Sequence, residues 1–385
     1  VDEVHVDAGD RRDGTPNRRF DGTGADRYAR CELRGASRRI RPTYAEPTPV
    51  LNVAVIGCGY WGINYVRVFD DLPGAKLGIV CDPSEDRLRS VRHRFPLVTT
   101  TPSIDEALGS KWVDAVVIAT PAATHHAVVK KAILAGKHVL AEKPITTRIE
   151  DGLELIDLAK QHQRVLMTGH TFLFNPGIRK VKEIIRSEQF GKMYYLHATR
   201  TNMGPVRQDV NALWDLAAHD ISIFNYLLEA RPEWVSTVAS RPLGKTLEDV
   251  GFATLHYPGG ILANIHVSWI DPNKVREVVA VGSRQRVVFD DMSNVERVRI
   301  FEKGMAFQQE ADSFGEFKLL VRDGDIISPH VPPAEPLKLL GEHFVECCQG
   351  KAHPLSDGQS GVEVVRALCA MDRSLRLNGA AVEVA

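Results

Sequence analysis

Three short stretches of this chain combine residue types and spacings that could do chemistry. The first, Gly57-Cys58-Gly59-Tyr60-Trp61-Gly62, follows the apolar run Leu51-Asn52-Val53-Ala54-Val55-Ile56. The second, Glu142-Lys143-Pro144, closes a later apolar run, and the third pairs Asp215 with His219 in a helical stretch around Leu213–Leu228. A G-x-G-x-x-G between strand and helix needs its first glycine for a tight turn, its second for close backbone approach to a pyrophosphate and its third for helix–strand packing. Such a loop alone also fits glycines that merely relieve crowding. Asp82 strengthens the dinucleotide reading, because it ends the next apolar run, Leu77–Cys81, where a carboxylate can accept hydrogen bonds from both hydroxyls of an adenosine ribose. That carboxylate would repel a 2′-phosphate, so NAD is favoured over NADP. Ser84 and Arg87 lie close enough in sequence to keep NADP as the alternative.

Asp215 and His219 stand at i and i+4, which puts both on one helix face about a turn apart, while Asp220 points elsewhere. An ion pair or cap would explain the spacing equally well. Oxidation of an alcohol, however, requires a base for the hydroxyl proton as hydride departs to a nicotinamide, and an imidazole with an ordinary pKa near 6.5 suits that task. Lys143 as a base would need its pKa lowered; as a charged donor it needs no shift. The residues therefore suggest Lys143 polarising a substrate oxygen, His219 as base and Asp215 orienting substrate or imidazole, with the roles exchangeable. Pro144 makes the Lys143–Pro144 bond tolerant of the cis form, which would turn the chain sharply at a strand end.

These groups need a frame. From Val50 onward short apolar strands alternate with helical stretches, through 75–81, 114–119, 138–141 and 164–169, the pattern of a doubly wound parallel sheet. Ala127–Ala135 carries an apolar face and stops at Gly136. Beyond about residue 190, strands at 193–201, 234–240, 251–257, 261–269, 278–281 and 287–290 come closer together and look antiparallel, with Tyr257-Pro258-Gly259-Gly260-Ile261 as a hairpin turn. The fold class expected is α/β: an N-terminal Rossmann doubly wound parallel sheet plus a C-terminal α/β domain with a mostly antiparallel, open-faced sheet. The expected division is 1–48 as a disordered extension, 49–172 as the NAD(P)-binding Rossmann domain and 173–385 for substrate binding and oligomerisation, with helices over 336–378 packing back on the first domain.

At 385 residues the chain has room for two cores. Forty-eight basic against forty-nine acidic side chains give no one-sided field, which argues against nucleic-acid or membrane-surface partners. No apolar run approaches eighteen residues, so a soluble, cytoplasmic protein is expected. The six scattered cysteines resemble neither a disulfide framework nor a zinc site, and no metal is expected. Residues 1–48, rich in Arg, Asp and Gly and without Lys, are interrupted by acids, unlike a mitochondrial transit peptide; the initial Val suggests trimming or an upstream start.

The three blocks, in their order and spacing, resemble the glucose-fructose oxidoreductase / inositol dehydrogenase / MocA-like (Gfo/Idh/MocA) family from about Val50 to the C-terminus. Thr120-Pro121-Ala122-Ala123-Thr124-His125, leading through Ala135–Val139 into Glu142-Lys143-Pro144, belongs to the resemblance. It implies a bound nicotinamide cofactor, catalytic roles at Lys143, Asp215 and His219, and a cofactor cleft lined by Thr120, His125 and Glu142 besides the loop residues Gly57, Gly59, Tyr60, Trp61 and Gly62 and the carboxylate of Asp82. It also implies that the open sheet face makes oligomers, a homodimer or homotetramer. Gly169-His170-Thr171-Phe172 with Asn175-Pro176, the stretch Asn202–Arg207 before Trp214-Asp215-Leu216, and Ser268-Trp269 are similar to members acting on nucleotide-linked sugars, the UDP-N-acetylglucosaminuronate 3-dehydrogenase type in particular. That likeness implies substrate contacts at His170, Asn175 and Arg207. The residues alone also allow His170 as a strand-end residue, Asn175 as a helix cap and Arg207 as a solvated charge. The expected activity is hydride transfer between a secondary hydroxyl of a sugar or nucleotide sugar, with C3 of a UDP-N-acetyl-hexosaminuronate as the finer candidate, and NAD; the alternatives are a redox-assisted glycosidase and a non-catalytic nicotinamide-binding scaffold.

Overall fold

The computed structural model describes residues 50–244, 246–307, 319–322 and 324–385. The expectation for residues 1–48 lies outside the described residues.

Six short runs form a parallel sheet: β1 (Leu51–Ile56), β2 (Ala75–Cys81), β3 (Thr99–Thr101), β4 (Ala115–Ile118), β5 (His138–Ala141) and β6 (Leu166–Thr168). Between them run α1 (Gly62–Asp71), α2 (Glu85–Arg94), α3 (Ile104–Gly109), α4 (His125–Leu134) and α5 (Ile149–Gln161). Helices cover both faces, so the inner strands are apolar on both sides, and all four residues of β4 are buried. The spatial order is β3-β2-β1-β4-β5-β6, so the winding reverses between β1 and β4. In such sheets a crevice opens at the carboxyl ends of the strands on either side of that reversal. β3 is three threonines, too short and polar for the apolar pattern to reveal it.

The second sheet begins after α6 (Pro176–Ile185) with β7 (Met193–Met203), followed by a π-helical turn at Leu213–Ala217 and α7 (Ala218–Leu228). It continues with β8 (Trp234–Ser240), β9 (Val250–Tyr257), β10 (Ile261–Ser268), β11 (Ile270–Gly282), β12 (Arg286–Asp290) and β13 (Val298–Phe301). β14 (Gly304–Phe307) and β15 (Leu319–Arg322) pair separately. Then come β16 (Ile326–Ile327), α8 (Pro336–Cys348), α9 (Gly358–Arg376) and β17 (Val382–Glu383). The nine-stranded order is β16-β13-β12-β11-β7-β10-β9-β8-β17. Its pairings are antiparallel except β7 with β10, which run parallel because α7 and a β8–β9 pair intervene before the chain returns. The hairpin at Tyr257–Ile261 is present, with Gly259 and Gly260 at φ of 80° and 77°.

Alternation divides this sheet. Leu196, Ala198 and Arg200 of β7 point into the core, whereas Tyr195 (46% exposed), Leu262 (44%) and Phe252 (47%) lie on the opposite, open face. α8 lies on α1, where Phe344 meets Phe69 edge-on at 6.5 Å between ring centroids, and α9 packs on α5, with Val362 filling the space left by Gly152.

Candidate active site

The glycine loop leaves the carboxyl end of β1. Gly57 sits at φ +90°, and a β-carbon there would stand 2.6 Å from the Ala119 carbonyl oxygen; one on Gly62 would run into the Gly57 carbonyl. Both glycines are demanded by the chain's own packing. Gly59 is different, since a β-carbon there would meet nothing nearer than the Arg87 guanidinium at 3.6 Å. The loop thus keeps a glycine backbone without a clash at the switch point, with a guanidinium as its only near neighbour, which is the fit a dinucleotide pyrophosphate requires. Tyr60 is 88% exposed beside it.

Asp82 follows β2 and is only 2% exposed. Its carboxylate accepts from the backbone N–H of Cys58 and of Ser84, both at 2.9 Å, and from Arg87 at 3.4 Å. It therefore ties the glycine loop to β2 and to the residues that open α2.

Glu142, at the end of β5, faces inward. Its Oε1 accepts from the Trp61 indole at 2.5 Å and the Tyr65 hydroxyl at 2.6 Å, and its Oε2 from the Lys143 backbone N–H at 3.0 Å. Gly169 leaves room for this cluster, because a β-carbon there would press on Glu142 and Tyr65 at 3.0 Å. So Glu142 fastens the start of α1 to the residue that carries the ammonium, a link that sequence reading missed because nothing in spacing marks Tyr65. His125 is similarly inward: its Nδ1 lies 2.7 Å from the Pro144 carbonyl and its Nε2 2.9 Å from that of Thr120. Burial lowers its pKa despite those two acceptors, so a neutral ring, with one N–H, satisfies one carbonyl at a time. The Lys143–Pro144 bond is cis.

Lys143 reaches from that strand end to the second sheet's helices. Its ammonium donates to the Asp215 backbone carbonyl at 2.7 Å and to Asp215 Oδ1 at 3.0 Å. Asp215 lies within the π-helical turn, whose register is pinned by Asn211 Oδ1 accepting the Trp214 N–H at 3.0 Å and by the Trp214 indole donating to Asp372 at 2.9 Å. Single π turns are a recurrent feature of functional sites. Arg207 donates to the same Oδ1 at 3.1 Å, and the Trp269 indole to Oδ2 at 3.3 Å. Burial pushes the Asp215 carboxyl upward, but Lys143 and Arg207 outweigh it and hold the group below its ordinary pKa, so it stays ionised.

The arrangement departs from the sequence expectation at three points. Asp215 makes no hydrogen bond to the imidazole: the carboxylate is taken by Lys143, Arg207 and Trp269, and His219 Nδ1 is buried without a partner. Arg207 is not a free cation, because its Nε and Nη2 grip Asp209 at 2.8 and 2.6 Å while its Nη1 holds Asp215. Asn175, 2% exposed, caps α6 through Gly177 N at 2.9 Å and donates to Asp291 at 3.1 Å, leaving it inside the fold.

His170 does stand at the site. It is 1% exposed, neither ring nitrogen has a partner, and burial followed by the Lys143 charge pushes its pKa down to about 3. His219, partly exposed, is driven well below 6.5 by burial first, then by Lys143, Arg200, His170 and Arg276. Both rings are neutral at pH 7, so each keeps one nitrogen able to accept a hydrogen bond. Among the described residues no cluster of three or more His, Cys, Asp or Glu could hold a metal ion, and no helix is long and apolar enough to cross a membrane.

A glycine-looped Rossmann sheet whose strand ends deliver a lysine and a histidine to a carboxylate and an imidazole on a second α/β layer has the form of a nicotinamide-dependent oxidoreductase. Comparison with known proteins agrees: residues 51–170 match the oxidoreductase family with an NAD-binding Rossmann fold, and residues 178–288 match the GFO/IDH/MocA C-terminal domain. The chain belongs to the Gfo/Idh/MocA family. It is 29% identical over 255 residues to UDP-N-acetylglucosamine 3-dehydrogenase from Acidithiobacillus ferrooxidans, covering 66% of this chain and 78% of that protein. It is 27% identical over 232 residues to 2,7-anhydro-N-acetylneuraminate hydratase from Escherichia coli, covering 56% and 61%. The solved structure of UDP-N-acetylglucosamine 3-dehydrogenase GnnA from Acidithiobacillus ferrooxidans superposes with a TM-score of 0.71 at 25% identity, covering 85% of this chain and 98% of that one. The chain spans 53% to 66% of the length of the first curated relatives it matches.

Proposed function

We propose that the protein is an NAD-dependent oxidoreductase that moves hydride between a secondary hydroxyl of a sugar or nucleotide sugar and nicotinamide. The observation that carries this reading is the Lys143–Asp215 contact, which joins the strand end beside the glycine loop to the π-helical turn that runs directly into α7, where His219 stands. Bound NAD would supply the hydride acceptor. Lys143, held charged against Asp215, would donate a hydrogen bond to the substrate oxygen and stabilise charge developing there. His219, neutral through its buried setting, would take the hydroxyl proton. Asp215 would place the ammonium rather than the imidazole, since Lys143, Arg207 and Trp269 occupy its oxygens. His170 would offer a neutral nitrogen to a substrate hydroxyl.

Residues 49–172 are read as the NAD-binding half and 173–385 as the half that binds substrate and assembles through the open sheet face. Similarity to a UDP-N-acetylglucosamine 3-dehydrogenase supports a nucleotide sugar, oxidised at C3, as the first substrate to try. A screen of UDP-, dTDP- and GDP-sugars and free cyclitols for NADH absorbance tests the reading, after tightly retained cofactor has been assayed in the purified protein. NADH formation with at least one of them is expected; none, in protein shown to bind NAD, would overturn it. Likeness to a hydratase favours a second reading, in which oxidation is followed by elimination and re-reduction. Product release without net NADH would mark that route. A cofactor-binding scaffold has no use for Lys143, Asp215 and His219 together.

A further inference from the structure

The imidazole of His219 lacks the hydrogen-bonded carboxylate that commonly orients a catalytic histidine, for Asp215 is engaged elsewhere and Nδ1 has no partner. Something else must hold the ring. Directly after it comes Asp220, whose side chain points into the core and is fully buried. Arg200, 4% exposed on the core face of β7, grips it from Nε at 3.1 and 3.2 Å to the two oxygens and from Nη2 at 2.7 Å to Oδ1. The same guanidinium lies over the Phe172 ring, 4.3 Å from its centroid. The Phe172 ring in turn packs edge-on against His219, 5.2 Å between centroids at 65°.

We propose that Arg200 and Asp220 are positioning residues for His219, a buried ion pair that clamps the first turn of α7 and, through Phe172, sets the imidazole's orientation in the site. The inference rests on the assignment of His219 as proton acceptor. A buried ion pair gains little over well-packed apolar side chains, so stability is a poor reason for its presence. Its contacts converge on one ring from two directions. Asp220 fixes the backbone that carries His219, and Phe172 fixes the face against which the ring lies. Removing the pair should therefore free the ring within a fold that otherwise persists. The charged and titratable groups around that ring are Lys143 and His170 from the ends of β5 and β6, Arg200 from β7, Arg276 from β11, and Asp215 and Asp220 on its own helical segment. Arg276 stands directly opposite Arg200 in the β7–β11 pairing and lies 3.5 Å from Asp291, whereas Arg200 is the cation that hydrogen-bonds Asp220.

The test uses the full chain labelled with carbon-13 in its histidines. The His219 Cε1–H resonance, assigned with His219→Gln, is titrated between pH 8 and 4.5 (about the range over which a histidine moves in and out of its ordinary window) in wild type, in the double variant Arg200→Met/Asp220→Asn and in Phe172→Leu. The double variant removes both charges at once and fills the space, which should preserve folding. The expected result is a displaced His219 resonance in both variants, a titration midpoint moved by about half a pH unit or more in the double variant, and a kcat reduced about tenfold or more with KM and NAD affinity nearly unchanged. A folded double variant whose His219 resonance, midpoint and kcat match wild type would make the pair a structural brace and overturn the proposal. Should the double variant fail to fold, an unmoved His219 resonance in Phe172→Leu overturns it equally. The resonance needs no substrate, so a wild-type protein that turns over no sugar, yet shows the displacement in its variants, would defeat the functional reading and leave the positioning role standing.

Discussion

The Lys143 ammonium lies 2.7 Å from the Asp215 carbonyl oxygen and 3.0 Å from its Oδ1, bridging the end of a Rossmann strand and the π-helical turn of the second layer. Two halves of the chain are locked in register by the groups proposed to do the chemistry. A cation fixed at that junction by a carboxylate held ionised is preorganised for charge that develops on a substrate oxygen, and little reorganisation remains to be done during reaction.

The glycine loop separates fold from ligand. Gly62→Ala forces a β-carbon into the Gly57 carbonyl and is expected to destabilise the protein measurably in a thermal melt. Gly59→Ala meets only the Arg87 guanidinium, at an ordinary contact distance of 3.6 Å, so its melting temperature should stay within a few degrees of wild type. Its NAD affinity, measured by calorimetry, should nevertheless drop about tenfold or more, because the added methyl stands where the pyrophosphate must approach. Equal NAD affinity in Gly59→Ala would contradict the loop assignment.

His219 should act as a base across an unusually wide pH range. Burial and the neighbouring cations lower its pKa, so the neutral, proton-accepting form survives as pH falls through 6.5. The acid limb of the kcat/KM profile should lie below that value, and His219→Ala should lower turnover by about 100-fold or more while NAD affinity holds. An acid limb at or above 6.5, lost in the variant, would mean that the ring sits in a more polar setting.

Much of this frame was legible in advance. The bounds of β2, β5 and β8 agree with the apolar runs read from sequence, because fully or half-buried strands leave unbroken or alternating patterns. β3 was invisible, since three threonines carry no apolar pattern, and the parallel pairing of β7 with β10 depends on where a crossover lands. The i,i+4 spacing put Asp215 and His219 on one face but could not say which way the carboxylate turns, a choice settled by Lys143, Arg207 and Trp269 arriving from elsewhere in the chain. Arg200 and Asp220 likewise belong together only in three dimensions. For Asn175 the sequence offered both a helix cap, as Asn directly before Pro, and a substrate contact implied by the family likeness, and only its contacts with Gly177 and Asp291 decide for the cap.

His170 makes stability depend on pH. Its pKa is ordinary when unfolded and about 3 when folded, so between those values the unfolded chain binds a proton that the folded chain refuses. Stability from this group is complete above pH 6.5 and is lost as pH falls toward 3, at about 1.4 kcal/mol per pH unit. Urea unfolding at pH 7 and pH 5 should therefore show a decline that His170→Gln reduces by about 2 kcal/mol. An identical decline in the variant would show that the His170 ring is solvated or partnered in solution.

The central claim is tested most directly by the rate of NADH formation in Lys143→Met, measured with the best substrate from the sugar screen alongside the variant's dissociation constant for NAD. Turnover lower by about 100-fold or more, with NAD binding within about threefold of wild type, is the expected result. Wild-type turnover in Lys143→Met would contradict the account, because the ammonium joined to Asp215 would then have no part in the reaction.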